Sequence, residues 1–136
     1  MAAAIGADPK QAVVVVLRDG DRVLVIRRGP EVSRSGYWTP PAGRIEAGET
    51  QAEAVAREAK EELGFDVRPR AKVWECPTDD GRYTLHWWTA DIVGGGLAPD
   101  AGEVSEVRWV TADEFQRLAP VFDDDRRFFR EVLPRL

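Results

Sequence analysis

The chain has 136 residues, a hydrophobic fraction of 43% and a net charge of −5. This composition predicts one globular domain over residues 1–136, and the acidic balance without a basic run argues against binding to a nucleic-acid polymer. No stretch approaches the roughly 18 apolar residues of a membrane span, and the first ten residues lack the features of a signal peptide. With Cys76 as the single cysteine, an internal disulfide is excluded, and we expect a cytoplasmic protein that does not contact the membrane.

The predicted elements alternate between strands and helices along the chain. Residues 1–10 are predicted to be frayed. The predicted strands cover residues 12–17, 23–28, 65–67, 71–76, 83–93 and 104–110. The predicted helices cover residues 50–63, 111–118 and 123–133. Strands in the middle of the chain with helices on both sides indicate an α/β class, a three-layer α/β/α sandwich around a mixed sheet.

The helix predicted over residues 50–63 has two distinct faces. Ala52, Val55, Ala59 and Leu63 belong to an apolar stripe at helical spacing. Glu58, Glu61 and Glu62 are spaced i, i+3 and i+4, so that their carboxylates lie on one adjacent stripe. The helix is preceded by a stiff loop of sequence Pro-Pro-Ala-Gly that ends at Gly43.

Three neighbouring carboxylates repel one another unless a cation lies between them. Carboxylate oxygens and water are the ligands that Mg²⁺ prefers, and bound Mg²⁺ polarises phosphoryl oxygens. Without further signals, three such glutamates are more often a solvated acidic helix face. The residues around the three glutamates decide between a metal site and a solvated helix face.

The stretch from Gly43 to Phe65, GRIEAGETQAEAVAREAKEELGF, resembles the Nudix box at every specified position. The family pattern is matched by Gly43, Glu49, Arg57, Glu58, Ala59, Glu61, Glu62, Gly64 and Phe65. The one departure lies just before the box, where many members have Pro-Gly-Gly and this chain has Pro41-Ala42-Gly43. The chain is thus identified as a member of the Nudix hydrolase family, whose enzymes cut nucleoside diphosphates linked to another group.

The resemblance implies a metal site and the catalytic residues around it. By analogy with the family, the Gly43 carbonyl and the carboxylates of Glu58, Glu61 and Glu62 would bind Mg²⁺, with Mn²⁺ as a substitute. Arg57 would orient the glutamates. The residue that activates the attacking water stays open between Glu58 and an acidic residue on a late loop, for which Glu103 is our choice. The resemblance also implies the Nudix fold, an α/β/α sandwich.

The substrate side carries weaker signals. Arg27 and Arg28 end the second strand and are candidates for phosphate binding, or else exposed strand-end charges. Tyr83 and Trp87 share one face of a strand and are candidates for stacking on a base, although Trp87 is equally typical of a core residue. Trp38 borders the box loop and is likewise a candidate for substrate binding or a core residue.

The resemblance implies a small nucleotide substrate, and we expect a nucleoside triphosphate, damaged or normal. The alternatives are ADP-ribose or another nucleotide sugar, and a dinucleoside polyphosphate. A non-catalytic nucleotide sensor is the rival from another functional class, but such domains tend to lose box glutamates and this chain keeps them all. Family members often form homodimers, and an apolar strand edge here is a candidate contact.

Overall fold

The computed structural model describes residues 8–136, which form seven strands with helices on both faces of the sheet. The strands are β1 Lys10–Asp19, β2 Arg22–Arg28, β3 Trp38–Thr39, β4 Ala42–Arg44, β5 Phe65–Pro77, β6 Tyr83–Gly95 and β7 Val104–Val110. The helices are α1 Gln51–Leu63, α2 Ala112–Gln116 and α3 Asp123–Arg127. The predicted α/β sandwich with a mixed sheet is confirmed.

The central strand β1 is buried on both faces, which explains its unbroken run of valines. Val13 and Val15 pack with α1, whereas Val14 and Val16 pack with the C-terminal helices. Because successive side chains of a strand point to opposite faces, a strand covered on both faces must be apolar at every position.

The strands β1 and β2 pair only next to their turn, through Arg18 with Val23 and Asp19 with Arg22. Beyond that point they diverge, and each takes other partners. Strand β1 pairs with β4 in antiparallel and with β6 in parallel orientation, and β6 pairs with β5. Strand β2 pairs with β3 and β7.

The segment from β3 to β4 crosses the gap between the two diverging strands. Thr39 in β3 pairs with Ile26 of β2, and Ala42 in β4 pairs with Val14 of β1. Pro40 and Pro41 make the crossing, where their missing N–H groups leave no unpaired donor. A cavity opens at this gap.

The structure corrects four predictions of secondary structure. Residues 42–44 form a short strand where a loop ending at Gly43 was predicted, and residues 38–39, to which no element was assigned, form another. The two strands predicted over 65–67 and 71–76 are one strand, whose register shifts between Pro69 and Ala71 because proline cannot donate to the ladder. The C-terminal helix breaks up after Arg127 into a π turn, Phe128–Val132, and a 3₁₀ turn, Leu133–Arg135. Of the segment predicted to be frayed, residues 1–7 lie outside the described residues and Lys10 begins β1.

Aromatic rings fill the layer between the sheet and the C-terminal helices. The rings of Phe115 and Phe129 stack 3.9 Å apart, and those of Trp87 and Phe128 stack 4.2 Å apart. All four side chains are fully buried. Cys76 is also buried, in the same layer. In residues 8–136, no helix is both long and apolar enough to cross a membrane.

Helix α1 begins and ends at well-defined caps. The Thr50 hydroxyl accepts from the Glu53 backbone N–H, and the Glu53 carboxylate accepts from the Thr50 N–H, which is a capping box. At the other end, Gly64 takes a left-handed conformation with φ of 84° that a residue with a side chain rarely adopts. These caps fix the ends of α1, and the burial of Val55, Ala59 and Leu63 sets the direction in which its glutamates point.

Thr50→Ala removes the hydroxyl acceptor of this cap. We expect it to lower the free energy of unfolding by about 1 kcal/mol, measured by urea denaturation. Thr50→Ser keeps a hydroxyl and should lie close to the wild type. Equal destabilisation by both changes would show that the threonine methyl group, and not the cap, stabilises the helix.

Candidate active site

The glutamates of α1 face β4, where Gly43 allows a very close approach. A Cβ atom at Gly43 would overlap the carboxylate of Glu58. A side chain at this position would therefore force the Glu58 carboxylate to move from its observed place. The approach places the Gly43 backbone beside the predicted metal ligands.

Arg57 is the hub of a dense network of ion pairs. Its guanidinium donates to both carboxylate oxygens of Glu49, at 2.7 and 2.9 Å, and to Glu58 Oε1 at 2.8 Å. It also donates to the Arg44 carbonyl at 2.7 Å and to Glu61 at 3.2 Å. Arg57 thus contacts Glu61, but Glu49 and Glu58 are the closer partners. Arg57 orients the box by tying the loop before α1 to the helix itself.

Glu62 is the most deeply buried carboxylate of the helix, at 4% exposure. Burial, followed by the negative charge of Glu58, raises the pKa of Glu62 to about 9. Burial also raises the pKa of Glu58 above its ordinary range. The Oε2 atom of Glu62 is buried and finds no hydrogen-bond partner among residues 8–136. A buried acceptor without a partner is unfavourable unless a proton or a cation binds to it.

These observations fit a divalent cation. Glu62 provides a buried oxygen without a partner, and Glu58 lies beside it. The Glu61 side chain is half-exposed to solvent. The three carboxylates are hard oxygen donors of the kind that Mg²⁺ prefers. In the described part of the chain, no three such side chains already surround a common point. Since Arg57 now holds Glu58 and Glu61, a bound cation would have to draw their carboxylates together.

Arg28 and Glu103 lie near this cluster from the other side. Arg28 ends β2, and its Nε donates to the Ser33 carbonyl at 2.6 Å. Burial lowers the pKa of Arg28, and the carboxylates of Glu62, Glu103 and Asp125 act against that shift. The Glu103 side chain is exposed, whereas its backbone carbonyl accepts from the Gly29 N–H at 2.7 Å. The predicted residues Arg28 and Glu103 are thus brought towards the box glutamates.

A cavity of about 560 Å³ opens where β1 and β2 diverge. Its floor is formed by β1 and by Gly43 of the box, and its walls come from segments that are distant in sequence. The lining includes Val14, Arg28, Arg34, Thr39, Gly43, Asp79, Tyr83, Leu85, Phe122 and Asp125. Gly43 thus lines the cavity and also lies against Glu58, although the box glutamates themselves are not part of the lining.

Asp125 is a cavity residue that was missed in the sequence. It is 3% exposed and accepts from the Thr39 hydroxyl at 2.7 Å. Burial raises its pKa to about 7. The run of three aspartates, residues 123–125, was visible in the sequence, but nothing local indicated which member turns inward. Arg34 and Phe122 were missed for the same reason, since only the fold brings them to the cavity.

Three residues predicted on the substrate side do not line this cavity. Arg27 is exposed and lies 4.0 Å from Glu106. Trp38 is buried in the core, with the guanidinium of Arg108 4.6 Å from its ring. Trp87 is fully buried against Phe128, so its ring faces are not available to a base. Of the predicted aromatic residues, only Tyr83 faces the cavity.

The chain is similar in sequence to known proteins. The NAD-capped RNA hydrolase NudC of Deinococcus radiodurans is 32% identical over 92% of this chain and 45% of its own length. A Mycobacterium tuberculosis protein provisionally named 8-oxo-dGTP diphosphatase 2 is 37% identical over 70% of this chain and 68% of its own length. The chain spans less than half the length of the NudC relatives that it matches.

The fold is shared with solved structures. The MutT protein from Methanosarcina mazei superposes with a TM-score of 0.79 at 23% identity, covering 96% of each chain. The family model described as the NUDIX domain matches residues 8–132. The complete box, the fold and this match together show that the chain belongs to the Nudix hydrolase family.

Proposed function

We propose that this protein is a Mg²⁺-dependent hydrolase of nucleoside triphosphates, damaged or normal. The observation that carries the proposal is that Gly43 both lines the 560 Å³ cavity and lies against the Glu58 carboxylate. Small-molecule sites have volumes of roughly 300–1,000 Å³, so the cavity suits one nucleoside. A nucleoside triphosphate whose base and sugar lie in the cavity would direct its phosphates to Arg28 and to the cation held by the carboxylates.

Each box residue has a role in this proposal. Glu58, Glu61 and Glu62, with the Gly43 carbonyl, would hold Mg²⁺, which supplies charge neutralisation and polarisation of the phosphoryl oxygens. Arg28 would donate to a phosphate, since its guanidinium is half-buried at the cavity. Arg57 keeps Glu58 in place. Glu58 and Glu103 remain the two candidates for the base that takes the proton of the attacking water.

The lining supports a base in the inner part of the cavity. Tyr83, Leu85 and Phe122 offer apolar and aromatic surface, and the Asp125 carboxyl offers a buried hydrogen-bonding group. The likeness to a protein named as an 8-oxo-dGTP diphosphatase supports a nucleoside triphosphate. The likeness to NudC supports a second candidate, an NAD-type dinucleotide or an NAD-capped RNA, so the expected exclusion of polymer substrates is left to experiment.

The proposal predicts a substrate preference in a panel assay. The panel contains canonical and oxidised nucleoside triphosphates, ADP-ribose, NAD, an NAD-capped oligoribonucleotide and dinucleoside polyphosphates, with products separated by chromatography. We expect Mg²⁺-dependent turnover with the highest kcat/KM for a nucleoside triphosphate. Glu62→Gln should lower kcat by about 100-fold or more, because a metal ligand is lost. The matched control Glu53→Gln, on the exposed face of the same helix, should retain activity.

Two outcomes of the panel would contradict the proposal. Preferred turnover of NAD or of the capped RNA would assign the chain to the second candidate. Tight binding of one nucleotide without turnover of any compound would indicate a sensor.

Gly43→Ala tests the close approach of β4 to the helix. The added methyl group overlaps the Glu58 carboxylate, so the carboxylate must move. We expect kcat/KM to fall roughly 10- to 100-fold, since small displacements of catalytic groups have effects of that size. The neighbouring change Ala42→Gly adds no atoms and should change kcat/KM less than threefold. Full activity of Gly43→Ala would show that the observed position of the Glu58 carboxylate against Gly43 is not needed for turnover.

Glu62→Gln should also change the pH dependence of stability in metal-free protein. The folded state of the wild type holds the Glu62 proton up to a pKa of about 9, whereas the unfolded state loses it near 4.5. The wild type therefore loses stability as pH rises from about 4.5 towards 9, and glutamine does not. We expect the Tm advantage of Glu62→Gln to grow between pH 5 and 8 in EDTA. A Tm difference independent of pH would show that Glu62 is ionised at its ordinary pKa.

A further inference from the structure

An ion pair joins two distant segments of the cavity wall. Arg34 lies in the loop between β2 and β3, and Asp79 lies in the turn between β5 and β6. The guanidinium of Arg34 donates to both carboxylate oxygens of Asp79, at 3.0 and 3.1 Å. Both residues line the cavity. We call this pair the strap.

Both ends of the strap are held by further contacts. The Arg34 guanidinium lies 5.4 Å from the Phe122 ring and 5.6 Å from the Tyr37 ring, at cation–π distance. On the Asp79 side, the turn is closed by a hydrogen bond from the Thr78 hydroxyl to Asp80, at 2.8 Å. The strap therefore connects two ordered segments rather than two free side chains.

The backbone of Arg34 supports a role beyond an ordinary surface ion pair. Its φ is 55°, and it is the only residue other than glycine in 8–136 with a positive φ. An arginine in the left-handed region costs free energy that a glycine or asparagine would largely avoid. Backbone strain of this kind is often found at functional sites, where the side chain it places is needed. Here the strained residue points its guanidinium across to Asp79.

We infer that the strap fixes the wall of the nucleoside cavity before substrate binds, which makes Arg34 and Asp79 positioning residues for the substrate. A wall held in place in advance does not have to be ordered when the nucleotide enters, so the affinity is higher. This inference rests on the proposed function, because it takes the cavity as the nucleoside site. The strap should affect KM and leave kcat nearly unchanged, since neither residue contacts the box glutamates.

The test is a double-mutant cycle on the substrate that the wild type hydrolyses fastest in the panel. Arg34→Asn keeps a residue that tolerates a positive φ, so it removes the guanidinium without adding backbone strain. We expect Arg34→Asn and Asp79→Asn each to raise KM about three- to tenfold, with kcat within twofold. The double variant should be no worse than either single one. The charge swap Arg34→Asp with Asp79→Arg should recover part of the loss.

A second pair of residues provides the control. Arg70 and Asp91 form an ion pair at 3.2 Å with similar exposure, and neither residue lines the cavity. Asp91→Asn should leave KM unchanged. Amide hydrogen exchange gives a readout that needs no turnover: both strap variants should speed exchange in residues 29–37 and 78–82, and Asp91→Asn should not.

Three results would overturn the inference. If KM and amide hydrogen exchange are unchanged in the strap variants, the strap is an ordinary surface ion pair. A higher KM for Arg34→Asn with a lower KM for Asp79→Asn would show that Arg34 binds substrate directly and that Asp79 competes for it. Additive effects in the double variant would show that the two residues act separately. If the wild type hydrolyses no nucleoside triphosphate, the proposed function fails. The amide hydrogen exchange measurement still shows whether the strap holds the cavity wall in place.

Discussion

The burial of the Glu62 carboxylate beside Glu58 is the constraint on which the site depends. Burial raises the pKa of both carboxyl groups, and the negative charge of Glu58 raises that of Glu62 further. Arg57 offsets part of this penalty through its contacts with Glu49 and Glu58, but it leaves one oxygen of Glu62 without a partner. The protein thus keeps a buried carboxyl group that holds its proton without metal, and a divalent cation can stabilise its charged form.

The divergence of β1 and β2 places a cavity near these carboxyl groups. The proline pair between β3 and β4 bridges the two strands, and the same short segment carries Thr39 to one side of the gap and Gly43 to the other. Thr39 binds the buried carboxyl of Asp125, while Gly43 lies against Glu58. One crossing of the chain therefore connects the candidate base-binding region with the candidate metal site.

The sequence predicted the carboxylate site far better than the cavity. The box helix is a local feature, because its caps, its apolar stripe and the spacing of Glu58, Glu61 and Glu62 all lie within a few turns. The residues that line the cavity come from five separate segments, and only the tertiary fold brings Arg34, Asp79 and Asp125 together. Trp87 shows a second limit: strand alternation places it on the same face as Tyr83, but it does not indicate which positions along that face are covered, and Trp87 is covered by Phe128.

The central claim is that the buried oxygen of Glu62 is a metal ligand. The most direct measurement is a crystal structure with Mn²⁺ and a non-hydrolysable nucleoside triphosphate analogue, in which anomalous scattering locates the ion. We expect the ion about 2.0–2.2 Å from Glu62 Oε2, with Glu58 or Glu61 as a second carboxylate ligand and the phosphates directed to Arg28. An ion bound only at the exposed Glu61, or an intact nucleotide complex in which Glu62 stays protonated and contacts no metal, would contradict the account.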